Sequence, residues 1–109
     1  MADSSYSGTV PTGGALTITI RAMSRQTWVM QQVSVAMDTT GVASAGSAVC
    51  VLKKNGVLVS PLVATADAAS GDPPVVIRGS DKMTVEWTGA PVGARCSVFI
   101  VYEPEPDRR

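Results

Sequence analysis

Histidine is absent from this chain of 109 residues, and that gap removes a large part of enzyme chemistry. Without imidazole there is no usual general base, no commonest metal ligand and no side chain poised to switch charge near neutral pH. Serine–histidine–aspartate triads and cysteine–histidine nucleophiles are excluded with it. Cysteine is scarce too: Cys50 and Cys96 cannot make a zinc site without further ligands. Charge is thin, 17% of residues against about 25% in an average chain. Nine basic and nine acidic residues cancel to a net charge of zero. Lys53-Lys54 and Arg108-Arg109 are too small to form the basic stripe of a nucleic-acid binder. No apolar run approaches the roughly 18 residues of a membrane span. The polar stretch Met1 to Val10 lacks the apolar centre of a secretory signal, so the product is expected to be made and kept in a cytosol until something releases it.

The remaining chemical templates also fail. Asp38, Asp67, Asp72 and Asp81 fall in separate polar stretches and do not read as a carboxylate pair. Gly13-Gly14 lacks a third glycine and a following helix. The segment from Gly41 to Gly46 holds Ser44, but not at the spacing of a nucleophile elbow, and neither carries a Walker lysine. Only five aromatic residues occur: Tyr6, Trp28, Trp87, Phe99 and Tyr102. Most lie in strand patterns, which leaves few rings to stack on sugars or bases. The expectation is a protein without catalytic, cofactor or metal residues.

What is present is alternation. In Ala15–Ala22 (ALTITIRA), Leu16, Ile18 and Ile20 share one face and Thr17, Thr19 and Arg21 the other, the period of a half-buried strand. Trp28–Met37 places Val29, Val33, Val35 and Met37 on one face of a second strand; helix is the competing reading, because Gln and Met tolerate it, and the run of Val, Ser and Val favours strand. Ser47–Lys54 and Val57–Val63 flank Asn55-Gly56, the strongest short hairpin signal, because a type I′ turn needs positive φ at both central residues. Val75–Arg78 predicts a short strand. Lys82–Thr88 predicts another, with Met83, Val85 and Trp87 inward. Ala94–Tyr102 is apolar on both faces in its second half, which marks a central or covered strand. Asp38–Gly46 and Ala64–Pro74 (ATADAASGDPP) read as loops. The stretch 1–14 (MADSSYSGTVPTGG) reads as a flexible arm, and 103–109 (EPEPDRR) as a polar tail whose alternate prolines stop the ladder.

About seven short strands joined by Gly, Pro and Asn turns predict a single all-β domain over residues 15–102, a β-sandwich of immunoglobulin-like or jelly-roll type. Trp28, Trp87 and Phe99 are the expected core anchors. The thiols are expected to be reduced and to act as small hydrophobes, with a disulfide between two strands as the alternative. Candidate contact residues are Tyr6 and Val10 in the arm, the loop residues Asp72, Pro73 and Pro74, and the strand edges.

The segment Pro74–Tyr102 (PVVIRGSDKMTVEWTGAPVGARCSVFIVY) carries Met83, Thr84, Val85, Trp87, Thr88, Gly89, Ala90, Gly93 and Ala94 in a hydrophobic-T-V-x-W-T-G-A-x-x-G-A pattern. It resembles small virion structural proteins of tailed bacteriophages, particularly those of actinobacteria, and Val49–Leu58 (VCVLKKNGVL) looks like the hairpin those domains carry upstream. The resemblance spans about half the chain. It implies a β-sandwich that serves in the virion by protein–protein contact, with the major capsid protein or other virion proteins as partners and homo-oligomers expected. The expected role is capsid decoration. The alternatives are a tail or head–tail connector accessory protein, or a carbohydrate- or host-binding β module.

Overall fold

The computed structural model describes residues 2–22, 26–41, 48–64, 66–70, 75–78 and 81–106. The strands are β1 (Ala2–Thr9), β2 (Leu16–Ile20), β3 (Gln26–Asp38), β4 (Val49–Lys54), β5 (Val57–Leu62), β6 (Ala66–Ser70), β7 (Val76–Ile77), β8 (Met83–Thr88) and β9 (Arg95–Pro106). No helix occurs among the described residues. Two antiparallel sheets face each other: β1-β9-β3-β6, with β7 on the same edge of β3, and β2-β8-β4-β5. Taken as one row, β6 and β7 make each sheet four strands wide.

The pairing resolves the choice between sandwich types. β1 pairs with β9, β2 with β8, β3 with β6 and β7, and β4 with β5. This is one long antiparallel ribbon, rolled so that β9 also meets β3 and β8 also meets β4. That winding is the jelly roll. The ribbon stays paired where it crosses between sheets: Val10 N–H donates to Ala94 O at 2.9 Å, Gly93 N–H to Val10 O at 2.9 Å and Ala90 N–H to Gly14 O at 3.0 Å. Gly14 holds φ 78°, and a Cβ there would lie 2.8 Å from Ala90 O. Only glycine fits this corner.

The core follows from alternation on the two middle strands. Met83, Val85 and Trp87 of β8, and Cys96, Val98 and Ile100 of β9, are fully buried in one cluster. Trp87 donates its indole N–H to Ala64 O at 3.1 Å, so its one polar atom is satisfied. Trp28 is also buried and stacks on Tyr102, ring centroids 4.0 Å apart. The thirteen residues of β3, at roughly 3.4 Å each, run nearly the length of a body measuring 48 × 23 × 23 Å. Asn55 (φ 51°) and Gly56 (φ 82°) form the expected hairpin turn.

Several expectations need correction. Residues 2–9 of the expected arm are β1, paired along its whole length from Ala2↔Tyr102 to Thr9↔Arg95. Part of the expected loop 64–74 is β6, paired with Gln32–Ala36 of β3. The expected tail begins as strand: Glu103–Pro106 continue β9 against β3. The prolines stand two apart, so both missing N–H groups fall on one side of the strand. The donors to β3 come from Glu103 and Glu105. Val29 is not on the inner face. Met30 faces Tyr102 and Gln32 faces Val101, so Gln31 is an extra residue that reverses the alternation. Trp28 and Met30 therefore point inward together with Val33, Val35 and Met37. Phe99 is not a core anchor: it stands between buried Val98 and Ile100, on the outer face, and is 44% exposed.

The two aromatic residues should separate cleanly in denaturant unfolding. Trp87→Ala is expected to lose roughly 3–5 kcal/mol as a large-to-small core change, and Phe99→Ala no more than about 0.5 kcal/mol as a surface change.

Candidate functional site

The outer face of the β2-β8-β4-β5 sheet is divided lengthwise. Cys50 and Leu52 point into the core, so Val49, Val51 and Lys53 point out. Register places Val51 beside Pro61 and Lys53 beside Leu58 on β5. Val49 and Val63 lie one residue beyond the Cys50↔Leu62 pair. Toward β8 and β2 the same face turns polar, with Thr84, Glu86, Thr88, Thr17 and Thr19. Glu86 marks the boundary: one carboxylate oxygen lies 3.5 Å from Lys53 Nζ and the other accepts the Thr84 hydroxyl at 3.2 Å.

The apolar half is open. Val57 is 68% exposed, Leu58 57% and Val63 59%, with Val49 and Val59 also exposed. Three consecutive apolar residues, Val57, Leu58 and Val59, exceed what a half-buried strand leaves outside. Leu58 stands on the outer face beside Lys53, Val57 pairs with Lys54 at the hairpin tip and takes the opposite face, and the bulge releases Val59 on an edge strand. Leu52 faces Ser60 and Lys53 faces Leu58, which leaves Val59 extra. Single exposed hydrophobes are ordinary, but a contiguous strip with a polar rim marks a surface for contact.

The residues singled out in the sequence are distributed differently. Tyr6 is half-buried against the core and Val10 is 1% exposed, so neither projects as an anchor. Tyr6 faces inward because β1 is a paired strand and not a free arm, and Val10, just past it, is held by backbone bonds to Ala94 and Gly93. Asp72, Pro73 and Pro74 lie outside the described residues. Phe99 occupies the middle of the other outer face, between Ser5 of β1 and Ser34 of β3. The β4–β5 strip was missed as a unit. Its signal in the sequence is the uncharged run Val57–Val63, which also fits an ordinary returning strand.

The titratable groups serve the scaffold. Asp38 accepts the Thr40 hydroxyl at 2.6 Å and the Thr40 N–H at 2.9 Å. Asp81 joins the tip of the β4–β5 hairpin to the segment before β8, accepting Asn55 Nδ2 at 3.0 Å and Arg78 N–H at 3.1 Å, with Lys54 Nζ at 3.7 Å. These bonds, Asn55 first, hold its carboxyl below the usual value of 3.8. Among the described residues no three metal-ligating side chains come together. Cys50 and Cys96 are free, buried and on opposite sheets. Burial pushes the Cys50 thiol up to about 12 and raises Cys96 as well, so both remain protonated hydrophobes. Comparison with known protein families, curated proteins and solved structures finds no match to the chain.

Two outcomes are expected. Neither thiol should react with a thiol-specific dye in the native state, and both should react once denaturant unfolds the chain. Because the folded pKa of Asp81 is depressed, the unfolded chain takes up the proton first as pH falls. The stability contributed by Asp81 is present above 3.8 and is lost below it. Thermal melts between about pH 5 and about pH 2 should therefore show a smaller acid-induced drop for Asp81→Asn than for the native sequence.

Proposed function

We propose that this chain is a non-catalytic virion structural protein, most plausibly a capsid decoration protein that docks on the shell of a tailed phage through the β4–β5 strip. The observation that carries the reading is the exposure of Val49, Leu58, Val59 and Val63 along β4, β5 and its end. Covering one valine or leucine side chain fully contributes roughly 1.5–3 kcal/mol. A strip of four such partly exposed residues is enough for a specific but modest contact. Two copies joined to each other, or one copy bridging two shell subunits, make such contacts act together.

Three further facts support it. The jelly-roll winding recurs in viral capsid and lectin domains, a likeness of architecture and not of function. The pattern from Met83 to Ala94 resembles small phage virion proteins. The low charge content makes the surface inexpensive to desolvate.

Quantitative mass spectrometry of purified particles from the source that encodes the chain tests this reading. Copy numbers matching the shell lattice are expected. A handful of copies would point to the tail or neck, and absence from particles would defeat the proposal. A glycan-array response without particle association would favour the carbohydrate-binding alternative. Leu58→Glu should leave the melting temperature nearly unchanged and strip the protein from particles.

A further inference from the structure

The sandwich has two lateral sides, and they are built differently. One carries β5 in one sheet with β6 and β7 in the other. There β5 is interrupted by the Val59 bulge and by Pro61, β6 has five residues and β7 two. Bulges, prolines and short strands are the devices by which natural sheets blunt their edges. The opposite side carries β1 and β2. β1 runs for eight residues in unbroken register with β9 and contains no proline, lysine or arginine. Its free edge has no partner strand among the described residues.

We propose that this edge pairs with β1 of a second copy of the chain, antiparallel and about a two-fold axis perpendicular to the sheet. The composition of β1 fits itself. Such an axis keeps the outer face outer on both copies, so directly opposed residues must share a face. Asp3, Ser5, Ser7 and Thr9 face out, and Ala2, Ser4, Tyr6 and Gly8 face in. Registers centred on Ser5 or Tyr6 obey this rule and engage most of the strand. Asp3, the one charged residue of β1, then meets Ser7 or Thr9 and never its own copy. A net charge of zero leaves no long-range repulsion between copies. The dimer joins the two β1-β9-β3-β6 sheets into one continuous sheet. This contact uses neither the β4–β5 strip nor the partner proposed for it, so either proposal can fail alone.

Sedimentation velocity on the purified full chain tests it with two charge variants. Ser5 and Ser7 are exposed on the outer face, so lysine or glutamate there leaves the fold intact, and circular dichroism verifies this. Both variants also carry Asp3→Ser, which removes the aspartate that opposes position 7 in the register centred on Ser5; Ser5→Lys with Ser7→Lys then puts lysine opposite lysine in either register with no attractive pair to offset it. Self-association should weaken roughly tenfold or more. Ser5→Glu with Ser7→Glu should do the same. An equal mixture of the two variants should restore the dimer as a heterodimer. A monomeric native chain, variants that remain dimeric, or a mixture that stays monomeric would each overturn the pairing.

Discussion

The structure depends on apolar burial between the inward faces of β8 and β9. With β3 and β4 they are the interior strands of their sheets: β8 lies between β2 and β4, and β9 between β1 and β3. Their inward residues, Met83, Val85, Trp87, Cys96, Val98 and Ile100, are all fully buried. Because the two strands follow one another, a single crossing through Gly89–Gly93 places one in each sheet. The crossing from β1 to β2 is hydrogen-bonded to it through Val10, Gly14, Ala90 and Ala94. The edge strands β1 and β2, and the interior strands β3 and β4, are therefore all paired directly with strands that this burial positions.

Much of this was legible in the residues. Thr17 and Thr19 alternating with Ile18 and Ile20, Met83-Val85-Trp87, and Asn55-Gly56 all identify their elements because local chemistry and the final fold agree there. The misreadings share a physical origin: pairing can recruit segments whose own propensity is low. ADSSYSGT has little strand character, and it becomes β1 because β9 offers a free ladder along eight residues. Glu103–Pro106 extend β9 because proline at alternate positions removes donors from one side only. Gln31 shows a different limit. One unpaired residue reverses which side chains face the core, and periodicity alone does not reveal where it is inserted. Phe99 faces outward despite its ring because the parity that Cys96, Val98 and Ile100 define overrides side-chain size.

The two broad surfaces differ in character for reasons of register. On the β2-β8-β4-β5 face, threonines from β2 and β8 gather at one side and valines, Leu58 and Pro61 at the other. The Lys53–Glu86 contact lies along the seam. An exposed pair of this kind contributes at most about 1 kcal/mol, so it defines a boundary and does little to hold the fold. The other face is lined with serines around Phe99. Aspartates hold loops and a hairpin tip, and thiols sit protonated in the core. Asp38, Asp81 and the two thiols are thus committed to structure.

The position of the strip relative to the open edge gives the two proposals a joint geometry. β5 and β1 lie on opposite lateral sides of the sandwich. In a dimer closed through β1, the two β5 strands become the outermost rows. Eight rows at roughly 4.8 Å spacing put them roughly 35 Å apart. The two-fold axis makes the strips equivalent, so the pair presents the same surface at both ends. Such a particle is suited to span two identical sites on a repeating lattice, where the second contact forms at the effective concentration set by the first. Modest affinity at each strip is then sufficient, provided the sites are spaced to match a rigid sheet. A lattice with the wrong spacing engages one strip only and loses the gain.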